Sequence, residues 1–184
     1  MRIYRVVVDV QRFQTVVPTD ERAWSSNQLR FDAKSKESWE AVSVVVFNPT
    51  KTRGNFFHLS PSVLVCDDSA LGTLEDVFER AGEVLPVQMG QETLYLINVL
   101  ECANSLDALR CQWRYDPQTG QRLSLAEYAF ARTRLPESSV FKIPETAAAE
   151  VLTYSEVKGA DDELIRRYQA AGLTGLVFQS IFED

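Results

Sequence analysis

The spacing of apolar and polar positions divides the chain into short strands and two helices. Residues 3–10 are valine-rich and weakly alternating, which predicts an opening strand. Residues 18–21 mark a loop or short helix start, residues 27–31 a short strand and residues 32–36 a solvated turn. Residues 41–47 form a β-branched run that stops at Asn48 and Pro49. A basic turn over residues 51–54 then predicts a hairpin into a strand at residues 55–59. Residues 63–66 read as a buried strand. After them Asp67, Asp68 and Ser69 make a helix N-cap cluster. Leu71, Leu74, Val77, Phe78 and Ala81 follow at helical spacing, with Glu75, Asp76 and Glu79 off the stripe and Gly82 at the C′ position.

From residue 83 the period returns to two. Residues 84–87 and 93–100 flank a turn at residues 89–91 and predict a β-hairpin, and residues 103–108 form a loop. Residues 110–115 alternate cleanly up to a turn signal at residues 116–120, whereas residues 122–132 fit either period. Residues 140–144 make another short strand. A second amphipathic helix, capped by Ser155 or Asp161, has Leu164, Ile165, Tyr168 and Ala171 as its inner stripe and ends at Gly172. A last strand covers residues 175–182. The pattern predicts an α+β fold, mostly antiparallel β-sheet with two main amphipathic helices, about 68–82 and 160–172. A soft boundary near residue 60 would set a β-rich N-terminal lobe (1–60) beside an α+β region (61–184) within one integrated domain.

Composition narrows the function classes. The chain has 184 residues and a formal net charge of −7, enough for a real core and without the basic footprint that phosphate backbones demand. The N-terminal apolar run is short and interrupted by Asp9, and no stretch approaches the roughly 20 apolar residues needed to span a bilayer. A soluble, unexported, cytoplasmic protein is expected, with no membrane partner. Cys66, Cys102 and Cys111 are odd in number and lack a CxxC pairing, so reduced thiols are expected. His58 is the single histidine. That excludes a two-histidine zinc site, and any nucleophilic arrangement would need His58 with Cys66 or an acidic partner. No glycine-rich phosphate loop occurs. No metal, cofactor or catalytic residue is expected.

Three segments carry a family resemblance. They are Gly82-Glu83-Val84-Leu85-Pro86-Val87; Tyr95-Leu96-Ile97-Asn98-Val99-Leu100 with the loop that contains Asp107; and Tyr154-Ser155-Glu156 leading to Ala171-Gly172-Leu173-Thr174-Gly175-Leu176-Val177-Phe178. Their order and spacing resemble a bacterial polymorphic-toxin immunity protein family, of the family-eleven type, formerly a domain of unknown function. The resemblance covers residues 60–184, and the N-terminal part more loosely. It implies an intracellular protein that binds and neutralises one cognate secreted antibacterial toxin encoded beside it, for example a basic nuclease. It transfers no catalytic residues.

Inhibition by occlusion needs a surface, and clustered carboxylates would steer a basic partner to it. Residues 67–83 hold six carboxylates against one arginine, and residues 145–163 six against one lysine, each a net −5. Asp67, Asp68, Glu75, Asp76, Glu79, Glu156, Asp161, Asp162 and Glu163 are therefore the candidate partner-binding residues. The plainer reading is helix capping and solvated faces. Conversely, residues 110–134 carry five arginines against Asp116 and Glu127, with Trp113 and Tyr115 interleaved, a pattern that fits a nucleic-acid stripe or an interface hot spot as well as a half-buried strand. The period places the arginines with Gln112 on one face and Cys111, Trp113 and Tyr115 on a core face. Trp24 and Trp39 are expected in the core. The alternatives to an immunity protein are a non-catalytic ligand-binding or scaffold module and a His58-dependent hydrolase.

Overall fold

A computed structural model describes residues 1–20 and 39–184. Trp24, the strand expected at residues 27–31 and the turn at residues 32–36 lie outside the described residues. The fold is α+β, with mostly antiparallel sheets.

The smaller sheet has the order β10 (Val140–Phe141), β11 (Leu152–Ser155), β1 (Arg2–Val8), β12 (Leu176–Glu183), and all its pairings are antiparallel. The larger has the order β2 (Val16–Pro18), β3 (Val42–Val46), β6 (Gly82–Met89), β7 (Glu92–Val99), β5 (Leu64–Cys66), β4 (Phe56–Phe57). Among its described strands, β3 and β6 are the parallel pair. Residues 1–60 thus supply strands to both sheets. Strands β8 (Gln112–Tyr115) and β9 (Arg122–Glu127) form a separate two-stranded ribbon.

The expected hairpin through residues 51–54 is not formed: β3 and β4 do not pair, and β6, β7 and β5 stand between them in the strand order. Strand β4 instead pairs with β5, Phe56 opposite Cys66, so two fully buried phenylalanines gain a neighbour that is buried as well. Each such side chain contributes about 1.5–3 kcal/mol relative to exposure.

Helix α1 (Asp68–Ala81) and the short helix α2 (Leu164–Ala170) share one core with both sheets. Ala70, Leu74, Val77, Phe78 and Ala81 of α1 meet Val6 and Val8 of β1, Ile97 and Val99 of β7, and Leu164 and Tyr168 of α2. A second core lies on the other face of the larger sheet, where Trp39 packs and its indole N–H donates to the Pro86 carbonyl at 2.8 Å. A third joins Ile3, Phe141, Leu152 and Tyr154 of the smaller sheet to Leu106 and Phe130 at the base of the ribbon.

Helix α2 is shorter than the expected span of about 160–172. Residues Ala160–Asp162 form a 3-10 turn, and the residue before the helix is Glu163, neither Ser155, which lies in β11, nor Asp161. Ala171, expected on the inner stripe, is exposed past the helix end. Gly82 does follow α1, but its φ of 171° is extended rather than left-handed. The glycine is needed for close approach: a Cβ there would sit 1.9 Å from the Asn98 carbonyl oxygen. Gly175 combines both reasons, with φ +109° and a Cβ position 2.8 Å from the Phe56 carbonyl oxygen. These glycines belong to the segments that carry the family resemblance, and they serve the joints between strands.

Candidate functional site

Helix α1 starts as its sequence dictates. The Asp67 carboxylate accepts from the Ala70 N–H at 2.9 Å, relieving one orphan donor of the first turn, and from the Asn55 side-chain amide at 3.1 Å. Asp68 accepts from the Tyr95 hydroxyl at 3.3 Å. About two helical turns further, at Asp76, the two acidic windows meet. Arg80 bridges Asp76 of α1 (3.2 Å) and Asp162 beside α2 (3.1 Å). Arg167 of α2 reaches back to Asp76 at 2.5 Å and donates to the Thr73 carbonyl. Burial works against the Asp76 anion, but the Arg167 hydrogen bond and the charges of Arg167 and Arg80 outweigh it, so its carboxyl lies below the usual range. The two arginines lock the helices together across more than 80 residues of sequence.

Other candidates are committed to the fold. Glu163 is fully buried, and accepts from the backbone N–H groups of Val157 (2.9 Å) and Lys158 (3.0 Å) and from Arg166 Nε (3.1 Å). That clamp closes the loop before α2. Glu156 has a φ of 63° and pairs with Arg2 at 3.6 Å. Glu75, Glu79 and Asp161 differ: they are exposed, and among the described residues their side chains make no hydrogen bond or ion pair. Asp68, Glu75 and Glu79 are spaced seven and four residues apart, which puts them on one stripe of α1. Sequence reasoning missed Arg80 and Arg167. The spacing of four between Asp76 and Arg80 was a usable signal, but no local signal links Arg167 to α1.

Two concavities lie elsewhere. A cavity of about 410 Å³ is walled mainly by apolar side chains, among them Val6, Val8, Val63, Leu64 and Val151, with His58 and Arg5 on its walls. That is within the size range of small-molecule sites. Burial lowers the pKa of His58 and favours its neutral form. The Cys66 thiol is fully buried, and burial pushes its pKa up, the opposite of an activated thiolate. Beneath the ribbon lies a more polar cleft of about 560 Å³. There Arg5 pairs with Glu150 at 2.7 Å, and the Tyr128 hydroxyl donates to Glu150 at 2.8 Å. Burial and the Glu150 contact push the Tyr128 hydroxyl up to about 12, while Arg5 opposes them. Among the described residues, no group of three His, Cys, Asp or Glu side chains is placed to hold a metal ion, and no helix is long and apolar enough to cross a membrane.

The ribbon departs from expectation at its tip. Trp113 is half-buried, but Tyr115 is 52% exposed rather than in the core, because among the described residues β8 and β9 pair only with each other.

The fold and surface define a class, an α+β protein of two sheets around a shared helical core, with an acidic helix face and an arginine-bearing ribbon. No family model matches the chain, and no curated protein matches it.

Proposed function

We propose that this chain is an immunity-type inhibitor that binds and neutralises a cognate secreted antibacterial toxin in the cytoplasm by direct occlusion. The observation that carries the reading is the α1 stripe. Asp68, Glu75 and Glu79 of α1 present carboxylates beside Asp161 of the 3-10 turn before α2, and Arg80 and Arg167 tie α1 to that turn and to α2. Such a platform loses little conformational entropy on binding, and its charge steers a basic enzyme toward it. The motif resemblance supplies the kind of partner, and a basic nuclease fits the charge. The test is coexpression with the toxin domain encoded by the adjacent reading frame. Wild-type chain restores growth and forms a complex, and Glu75→Lys/Glu79→Lys loses both. Absence of a complex with wild type overturns the reading.

A second reading, a ligand-binding module, is favoured by one observation, the 410 Å³ apolar cavity beside His58. It predicts that an aromatic, anionic probe such as 1-anilinonaphthalene-8-sulfonate binds the native chain, and that Val63→Trp, which fills the cavity, abolishes the signal. An unchanged signal in Val63→Trp removes this reading.

A further inference from the structure

We propose that the β8–β9 ribbon is a docking arm for an acidic surface of another protein, an interaction separate from the helical face. Three large apolar side chains are exposed on or beside it: Leu109 is 98% exposed, Leu123 64% and Tyr115 52%. Arg110, Arg114 and Arg122 stand among them, exposed, and none has an acidic partner among the described residues. The Arg122 guanidinium lies 4.7 Å from the Trp113 ring centroid, which holds that cation over an aromatic face. Asp116 is turned inward as a turn cap, accepting from the backbone N–H groups of Gln118 and Thr119 at 2.8 Å each. Glu127 is occupied by the Gln112 side chain at 2.5 Å. Asp116 and Glu127 keep their charges, so residues 109–127 carry a net +1, with the three arginines exposed, on a chain whose formal net charge is −7.

The exposed leucines, rather than the arginines, favour a protein partner over a nucleic acid, since arginine serves both. Residues 109–127 contain arginine and no lysine. Arginine is the less hydrated cation and, with tyrosine and tryptophan, the residue type that dominates protein interface hot spots. Phosphate backbones have no use for the exposed Leu109 and Leu123. The base of the ribbon is anchored, since Leu125, Tyr128 and Cys111 pack against the third core. The arm is held in place while its outer surface stays open.

The experiment uses the full chain and two probes, a random poly(Glu,Tyr) copolymer and a short oligothymidylate, titrated at low salt. Poly(Glu,Tyr) binds the wild type. Arg110→Glu/Arg114→Glu weakens it about tenfold, and Leu109→Ser/Leu123→Ser several-fold with the charges kept. Gly72→Ala, in α1 and outside the ribbon, leaves the affinity unchanged. Hydrogen exchange on the wild type, which needs no variant to fold, shows new amide protection within residues 109–127 when the copolymer is added. The proposal is overturned if poly(Glu,Tyr) does not bind, if protection appears elsewhere, if the leucine variant keeps full affinity, or if oligothymidylate binds as tightly.

Discussion

Replacing Gly82 by alanine tests the joint between α1 and the hairpin β6–β7. The added methyl would lie 1.9 Å from the Asn98 carbonyl oxygen and 2.8 Å from the Leu100 nitrogen, both backbone atoms of the paired strand. Neither can rotate away, so the strand must move. Its movement disturbs the Leu100 and Glu101 N–H groups, which both donate to the Ala81 carbonyl, at 2.9 and 2.8 Å. Two such bonds contribute about 1 kcal/mol each, and overpacking adds about 1–3 kcal/mol, so the cost is about 3–5 kcal/mol. For a chain of this size that lowers Tm by about 6–20 °C. The assay is urea unfolding with a thermal melt, beside Gly72→Ala as control. A Cβ at Gly72, inside α1, meets nothing within 4 Å, and alanine there stabilises by about 0.5–1 kcal/mol. Gly82→Asn separates close approach from a left-handed cap. Asparagine tolerates left-handed backbone, so a cap would be partly rescued, whereas a contact with backbone is not. Gly82→Ala within about 0.5 kcal/mol of wild type, or rescue by asparagine, refutes the reasoning.

Further outcomes follow from the same contacts. Glu163→Gln leaves donors from Val157, Lys158 and Arg166 facing an amide, and should cost about 1–3 kcal/mol in urea unfolding. Asp76 has a depressed native pKa, so its contribution is fully present above the unfolded value of about 3.9 and is lost as pH falls through the lower native value. The Tm difference between wild type and Asp76→Asn should therefore hold steady from neutral pH down to about pH 5 and shrink below about pH 4, and a constant difference down to pH 2 would contradict the ion-pair account. Thiol titration of the native chain should modify the exposed Cys102 first, slowly at neutral pH because burial leads the effects that raise its pKa, and reach the buried Cys66 only on unfolding.

Local periodicity carries what local physics decides. The stripe Leu74, Val77, Phe78 and the Asp67 cap placed α1, since a helix must bury one face and satisfy its first N–H groups. The β-branched run placed β3 for the same kind of reason. Period two tells which side chains are buried, not which strand lies alongside. Hence the pairing of β1 with β12, near the other end of the chain, and the separation of β3 from β4, were not legible. Helix α2 was overextended because Asp161 and Asp162 resemble a first turn, while buried Glu163 ties the loop and delays the start. At the candidate site the carboxylates were visible, but their uses were not. Asp76 and Asp162 are held by arginines, and only Glu75, Glu79 and Asp161 remain with no hydrogen bond or ion pair among the described residues.

The most direct test of the account is the dissociation constant between this chain and the toxin domain of the adjacent reading frame, measured for wild type and for Glu75→Lys/Glu79→Lys at two salt concentrations. The account predicts a tight wild-type complex, about a hundredfold weaker in the variant, with the loss shrinking at high salt as the steering charges are screened. A variant that binds like wild type while folding normally would contradict the acidic face as the contact, and a wild type that does not bind would contradict the inhibitor itself.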